Sequence, residues 1–354
     1  MSSSYHALAT FLCLSVMLAC SDDSIPDADA AVGMQDTGSP AALQPLHHAF
    51  PEFELESGEE QSRYCQSWTL DNDEEIFVQR IVAENQGAFH HSNWFFVPED
   101  RYDGPDGTWR CNARDFDSLA AGASAAGGVL FAQSTQALAE EQGFPEGTAL
   151  RLPPRARIVG QVHLLNVTGE ATSTHIALTL HQLPEEAVHT RLAAMSFVNS
   201  SLAIPPRSQS EFVMECDLAG ATADGYWSGN LYYFLPHYHA YGKNMRLEYV
   251  GGERDGEVLF ETNALVGEPL GQSVSPPLSM DGAEKVRFTC GYNNPTDRTI
   301  VEGIGDEEMC MFLAFTDSRY RVGGYGLRIL DESVDGSNHI ANTDCTTVAL
   351  PANR

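Results

Sequence analysis

The chain has 354 residues, with 20 Lys and Arg against 49 Asp and Glu and a formal net charge of −29. That balance offers no basic footprint for phosphates, so nucleic acid is excluded as an expected partner, and the acidity acts mainly on solubility. The length accommodates two domains of ordinary size.

The first segment is short and apolar, Ala7 to Ala19, and ends in Met17-Leu18-Ala19-Cys20. It is too short to span a bilayer. An aliphatic residue, a small residue and then cysteine resemble the cleavage site of a bacterial lipoprotein signal; a plain cleaved secretory peptide is the alternative. The departure from the pattern is that no Lys or Arg precedes the apolar run. Residues 1–19 are therefore expected to be the signal peptide, and Cys20 the site of a lipid anchor. Residues 20–50, rich in Asp, Ala, Ser, Pro and Gly, are expected to be a disordered acidic tether. The expected location is the bacterial cell envelope, periplasmic or outer surface, with no transmembrane helix after the signal.

From about residue 50 short strand-like runs alternate with turn signals. The runs are SRYCQSWTL, EEIFVQRIVAE, SNWFFVPE, RIVGQVHLLNV, HIALTLHQL and MRLEYVG; DGPDG, PPR, GGERDG and NNP fall between them. One short helix is expected at Ala137 to Gln142. Regular strand spacing predicts an all-β fold of sandwiches. A boundary near Pro184-Glu185 divides it into domains 51–184 and 185–354.

Export implies an oxidising compartment. With Cys13 in the signal and Cys20 as the lipid site, Cys65, Cys111, Cys216, Cys290, Cys310 and Cys345 remain. An even count predicts three disulfides and leaves their pairing open. The absence of a CxxC pair argues against a cysteine-bound metal.

The residues that carry chemistry are histidines and one methionine. His237 and His239, in LPHYHAYGK, are two apart at the end of an apolar strand, and such residues face one side. Met309, in DEEMC, offers a thioether, a poor ligand for zinc, calcium or magnesium and a good one for Cu(I). Its ordinary role would be core filler. His90 and His91, in AFHHSNWFF, are neighbours; on a flat strand they point to opposite faces and share an ion only where the strand twists, bulges or ends. His163, in GQVHLLN, is a third imidazole; three imidazoles suit copper electron storage, or zinc where oxygen chemistry is absent. His175, His181, His189 and His339 have no motif partners, and His47-His48 is read as incidental.

In this order, with these flanking cysteines, the set resembles the ascorbate-dependent type II copper monooxygenases, which include the peptidylglycine α-hydroxylating and dopamine β-monooxygenases. The likeness covers roughly residues 60–350 and is strongest over Cys290 to Phe315, then HYHAYGK and the Q-V-H triplet at His163. It implies two tandem β-sandwich, jelly-roll-like domains facing a cleft, with one copper each. His90, His91 and His163 would hold the electron-transfer ion. His237, His239 and Met309 would hold the oxygen-binding ion and are the expected catalytic residues. It also implies disulfides Cys65–Cys111, Cys216–Cys345 and Cys290–Cys310.

The implied function is hydroxylation of a substrate C–H bond with O₂ and ascorbate or another one-electron donor, by a monomer. Ascorbate is anionic, so its approach to this acidic chain would need a local positive region. The peptidylglycine enzymes bind the peptide carboxylate with an arginine before HxH and with Asn and Tyr after the Met-Cys pair. Here those positions are Leu235, Met311 and Leu313. Burying an unpaired carboxylate against such residues is costly, so a small, uncharged substrate is expected. The alternative is a non-catalytic copper-binding or copper-storing lipoprotein; a structural β-sandwich whose histidines bind nothing is a third possibility.

Overall fold

The computed structural model describes residues 43–122, 127–133, 135–263, 270–303 and 306–352. The signal segment, Cys20 and most of the expected tether lie outside the described residues. Residues Pro40–Arg354 form one compact unit.

The architecture is all-β; among the described residues the α-helices are single turns, Ser118–Gly122 and Leu218–Ala221. One eleven-stranded sheet runs through the unit, with Leu46–Ala49, Ile176–Leu183, Ile76–Asn85, Thr148–Leu152, Thr190–Asn199, Met311–Thr316, Asn230–His237 and Gln272–Ser279 side by side. A five-stranded sheet has the order Gly107–Arg110, Glu60–Thr69, Arg157–Leu165, Phe89–Val97, Gly128–Gln133. A six-stranded sheet has Lys285–Asn294 and Ser208–Asp217 at its centre.

Two cores follow from this layering. The first gathers Ile81, Leu150, Leu178 and Leu180 of the large sheet with Trp94, Ile158 and Val162 of the five-stranded sheet. The second gathers Phe197, Phe234 and Phe312 of the large sheet with Phe212, Leu247 and Phe288 of the six-stranded sheet. The first draws almost wholly on residues before 193 and the second on residues after 194. Among the buried residues Tyr233, Leu235 and Phe315 are the exceptions, reaching from the later strands into the earlier core with Tyr232 and Leu313 packed beside them. The expected boundary at Pro184-Glu185 falls at the 3-10 turn Glu185–Ala187. The sheet is nonetheless continuous across it, because Thr190–Leu192 pair in parallel with Thr148–Leu150.

Two local expectations are corrected. The segment expected as a helix, Ala137 to Gln142, contains the strand Ala139–Gly143, paired antiparallel with Ile76–Asn85. Its charged appearance hides a period of two: Glu140 and Gln142 face inward, and the Gln142 amide donates to the Leu130 carbonyl at 2.8 Å. The end of the expected tether is also ordered. Leu46–Ala49 adds an edge strand to Ile176–Leu183, and Phe50 is buried in the first core. His48 stacks on Trp68 at 4.8 Å, and His47 bonds the Thr179 hydroxyl.

The disulfides are Cys65–Cys111, Cys216–Cys345 and Cys290–Cys310, the pairing the resemblance implied. They close sequence separations of 46, 129 and 20, and removing that freedom from the unfolded chain stabilises the fold. They fit an oxidising, exported location. No helix among the described residues is long and apolar enough to cross a membrane.

Gly160 sits opposite the buried Trp94 in the ladder that carries the first histidines. A Cβ there would lie 2.4 Å from the indole, against a fully enclosed ring. Gly160→Ala should therefore destabilise the protein by about 1–3 kcal/mol, the usual cost of overpacking, as read by chemical denaturation. An unchanged midpoint would show that Trp94 is free to shift.

Candidate metal centre

The first histidines come from the five-stranded sheet. His163 lies opposite His91, but the next residue, Leu164, lies opposite Phe89. The strand Phe89–Val97 thus holds one extra residue, His90, at a β-bulge. A bulge sets two residues of one strand against one of the other and breaks the alternation of faces. The His90 and His91 rings consequently lie side by side, centroids 4.0 Å apart, with the His163 ring 4.9 Å from His90. The other edge of Arg157–Leu165 is irregular at the same point, where Val162 pairs with Tyr64 and Leu164 with Gln61. The Glu60 carboxylate there meets His163 Nε2 at 2.8 Å.

The second histidines end the strand Asn230–His237, whose last residue pairs with Met311. The alternation continues for two more residues. Tyr238 is fully buried in the second core, while the His237 and His239 rings lie 5.2 Å apart. The turn closes with Gly242 N–H donating to the His239 carbonyl. A Cβ at Gly242 would lie 2.0 Å from the Tyr238 ring, so the turn requires glycine.

Glu308 fixes this turn to the methionine segment. Its side chain is fully buried. One oxygen accepts the N–H groups of His239 at 2.8 Å and Met309 at 3.2 Å, and the other accepts that of Tyr241 at 2.6 Å. Burial raises its pKa to about 7, while these backbone bonds pull the other way. Met309 is partly buried; its carbonyl accepts from the Tyr292 hydroxyl at 2.7 Å, and Cys310 beside it is bridged to Cys290.

The two sets are adjacent, not spaced across a cleft. Donor atoms of His90, His91 and His163 lie within 4.8 Å of one another, and so do those of His91, His237 and His239. The His91 ring is 4.9 Å from His237 and stacks at 5.2 Å on His239. The physical reason is that the strand Asn230–His237, in the large sheet, packs Tyr233 and Leu235 into the core that the five-stranded sheet also lines, which brings its end against the bulge.

The donor set fits a metal. All five rings are 6–9 % exposed. His90 Nδ1, His163 Nδ1, His237 Nδ1 and His239 Nε2 are buried with no hydrogen-bond partner, a costly state for polar atoms unless a cation completes it. The opposite nitrogens are occupied where tautomer control is needed. His163 Nε2 meets Glu60, His239 Nδ1 donates to the Glu307 carbonyl at 2.8 Å, and the His90 side chain bonds Gln136. Such outer partners orient imidazole ligands and raise their basicity. Neither triad contains a carboxylate, which suits copper or zinc over calcium or magnesium.

Burial, then the neighbouring rings, lowers His90 to about 4 and His237 to about 3. His91 and His239 are also pushed down, by burial first. The rings of His90, His91, His237 and His239 are therefore neutral near pH 7, as ligation requires.

Sequence reasoning missed Glu60, Gln136 and Glu308. Glu308 had a local signal, an acidic residue directly before the candidate thioether. Glu60 had none, since only the strand register brings it to His163. Leu235 and Leu313 face each other in the ladder and pack in the first core, so they do not line an open pocket. Met311 pairs with His237. Two surface depressions, of about 420 and 280 Å³, have no cluster histidine in their walls. His175 lies near Glu52, His181 bonds Arg80, His189 packs at Gly147 and His339 lies near Glu332.

No family model and no curated protein matches the chain. Among solved structures it is similar to PBCV-1 VP54, as fitted into a reconstruction of the virophage Sputnik, at 6 % identity over 79 % of this chain and 95 % of that one, TM-score 0.26. It is also similar to a triple jelly roll structure from an archaeal virus, at 7 % identity over 75 % and 58 %, TM-score 0.20. A Macrobrachium rosenbergii nodavirus structure follows at 8 % identity over 84 % and 96 %, TM-score 0.18. Scores this low carry no functional argument.

The metal-free centre sets a pH dependence. The folded pKa values of His90 and His237 lie below the ordinary 6.5, so on acidification the unfolded chain takes up protons first. Their contribution to stability is full above pH 6.5 and is lost as pH falls toward 4. Thermal unfolding of metal-free protein should show this loss. A His237→Gln variant should lose less than wild type, which separates the effect from relief of acidic repulsion. Equal slopes for the two proteins would refute it.

Proposed function

We propose that this protein is an exported, lipid-anchored copper monooxygenase that hydroxylates a C–H bond of a small, uncharged substrate, with O₂ and ascorbate or an equivalent donor. The observation that carries the reading is the convergence of five buried imidazoles, four of them with a ring nitrogen lacking any protein partner. Met309, tied through Glu308 to the His239 turn, is the feature that favours copper over zinc.

Copper held here would supply one-electron redox chemistry and affinity for O₂. The chain's own residues do the rest. Burial keeps the imidazoles of His90, His91, His237 and His239 neutral. Glu60 and the Glu307 carbonyl hold His163 and His239 in the tautomers that leave Nδ1 and Nε2 for the metal. Glu308 holds the turn that carries His239 against the segment that carries Met309. The uncharged substrate rests on the sequence alone: Leu235, Met311 and Leu313 stand where the peptidylglycine enzymes carry the partners of the peptide carboxylate.

A second reading is a copper-holding lipoprotein without turnover. The burial of all five rings and their absence from the walls of the two depressions favour it.

Metal analysis followed by oxygen uptake with ascorbate separates the two. The monooxygenase binds two coppers per chain and shows substrate-dependent uptake; copper without turnover leaves the holding role. Met309→Ile keeps an apolar side chain of similar size and should preserve the fold. It should abolish coupled uptake while the ion at His90 and His163 stays bound and reducible, and His163→Ala should weaken that ion instead. Unchanged copper and turnover in Met309→Ile would reduce the methionine to core and end the oxygen-activation reading. The anchor is tested separately: Cys20→Ala should release the protein from membranes, and unchanged association would exclude lipidation there.

A further inference from the structure

The two histidine triads share one member. His91 belongs to the group with His90 and His163 and to the group with His237 and His239. Its ring centroid lies 4.0 Å from His90, 5.8 Å from His163, 4.9 Å from His237 and 5.2 Å from His239. No other histidine is common to both groups.

The flanking rings are single-ended. His163 spends Nε2 on Glu60 and has Nδ1 over; His239 spends Nδ1 on the Glu307 carbonyl and has Nε2 over. Each can serve one ion only. His91 is in ring contact with both sets, and the His90 and His239 rings are themselves 6.3 Å apart. An imidazole carries two ring nitrogens on different edges, and both can ligate once the ring proton is released.

We infer that His91 is a ligand common to two metal ions, one ring nitrogen toward each, so that the five histidines form one binuclear centre. This rests on the copper reading and departs from the two independent ions that the family resemblance implies. Binding the second ion displaces the His91 ring proton to solvent. The two ions must then load and empty in a linked way, and two Cu(II) ions joined through one imidazole have coupled spins.

The test loads the full chain, solubilised from membranes, with Cu(II) and measures copper per chain beside the electron paramagnetic resonance spin count. Wild type should hold two coppers whose resonance accounts for less than half of them at low temperature, with a half-field feature. His91→Ala should raise the chelator-competed dissociation constants of both ions by on the order of tenfold or more, while His90→Ala weakens one ion and leaves a mononuclear signal from the other. Two copper ions with a full, uncoupled spin count in wild type would overturn the shared ligand and leave the copper reading intact. So would a His91→Ala protein whose second ion keeps wild-type affinity. Wild type that binds no copper would overturn both. The wild-type spin count needs no variant, so a misfolded His91→Ala protein does not remove the test.

Discussion

A strand turns successive side chains to opposite faces, so two adjacent histidines can act together only where that alternation fails. Between the strands that carry these histidines it fails at the extra residue that sets His90 and His91 against His163. Everything else about the centre depends on that local irregularity. Without it one of the two rings would point to the other face of the five-stranded sheet, into the first core among Phe89, Trp94 and Leu164. The sheet can hold the bulge because the neighbouring ladder is rigid: Gly160 lets Trp94 pack flat on the strand, and the indole N–H is held by Ser92.

The second constraint is the continuity of the large sheet. The parallel pairing of Thr190–Leu192 with Thr148–Leu150 joins the strands of the two cores edge to edge. The strand ending at His237 lies two places from that junction, beyond Met311–Thr316. Its inward residues, Tyr233 and Leu235, pack into the first core beside Phe315 and Phe144. Aromatic contacts of this kind bury large areas and fix the strand's depth. The same contacts therefore fix where His237 and His239 emerge, which is against His91.

Much of this was legible in the sequence, for reasons particular to each part. The strand runs were readable because turn residues bracket alternating or continuous apolar stretches, and the HxH pair because a period of two is a local property. Ala139–Gly143 was not, since its inward residues are Glu140 and Gln142, which look solvent-facing until their buried partners are known. The edge strand at Leu46 was hidden in the same way, by a composition typical of tethers. The metal residues were readable as a list, whereas their arrangement was not. Whether two triads are distant or share a ring depends on long-range strand register, and no short window of sequence encodes it.

The electrostatics of the centre follow from burial more than from the chain's overall charge. A net charge of −29 would favour protonated histidines at the surface. Inside the cluster, desolvation and the mutual repulsion of the rings dominate, and His90, His91 and His237 stay neutral. Carboxylates are admitted only where they do not enter the donor set. Glu60 stays at the rim on the outer nitrogen of His163, and Glu308 spends its oxygens on backbone N–H groups. The result is a buried cluster of imidazole donors within a strongly acidic protein. Hard cations drawn by the surface charge would find oxygen ligands outside and few within, so ligand chemistry selects the ion that the centre prefers.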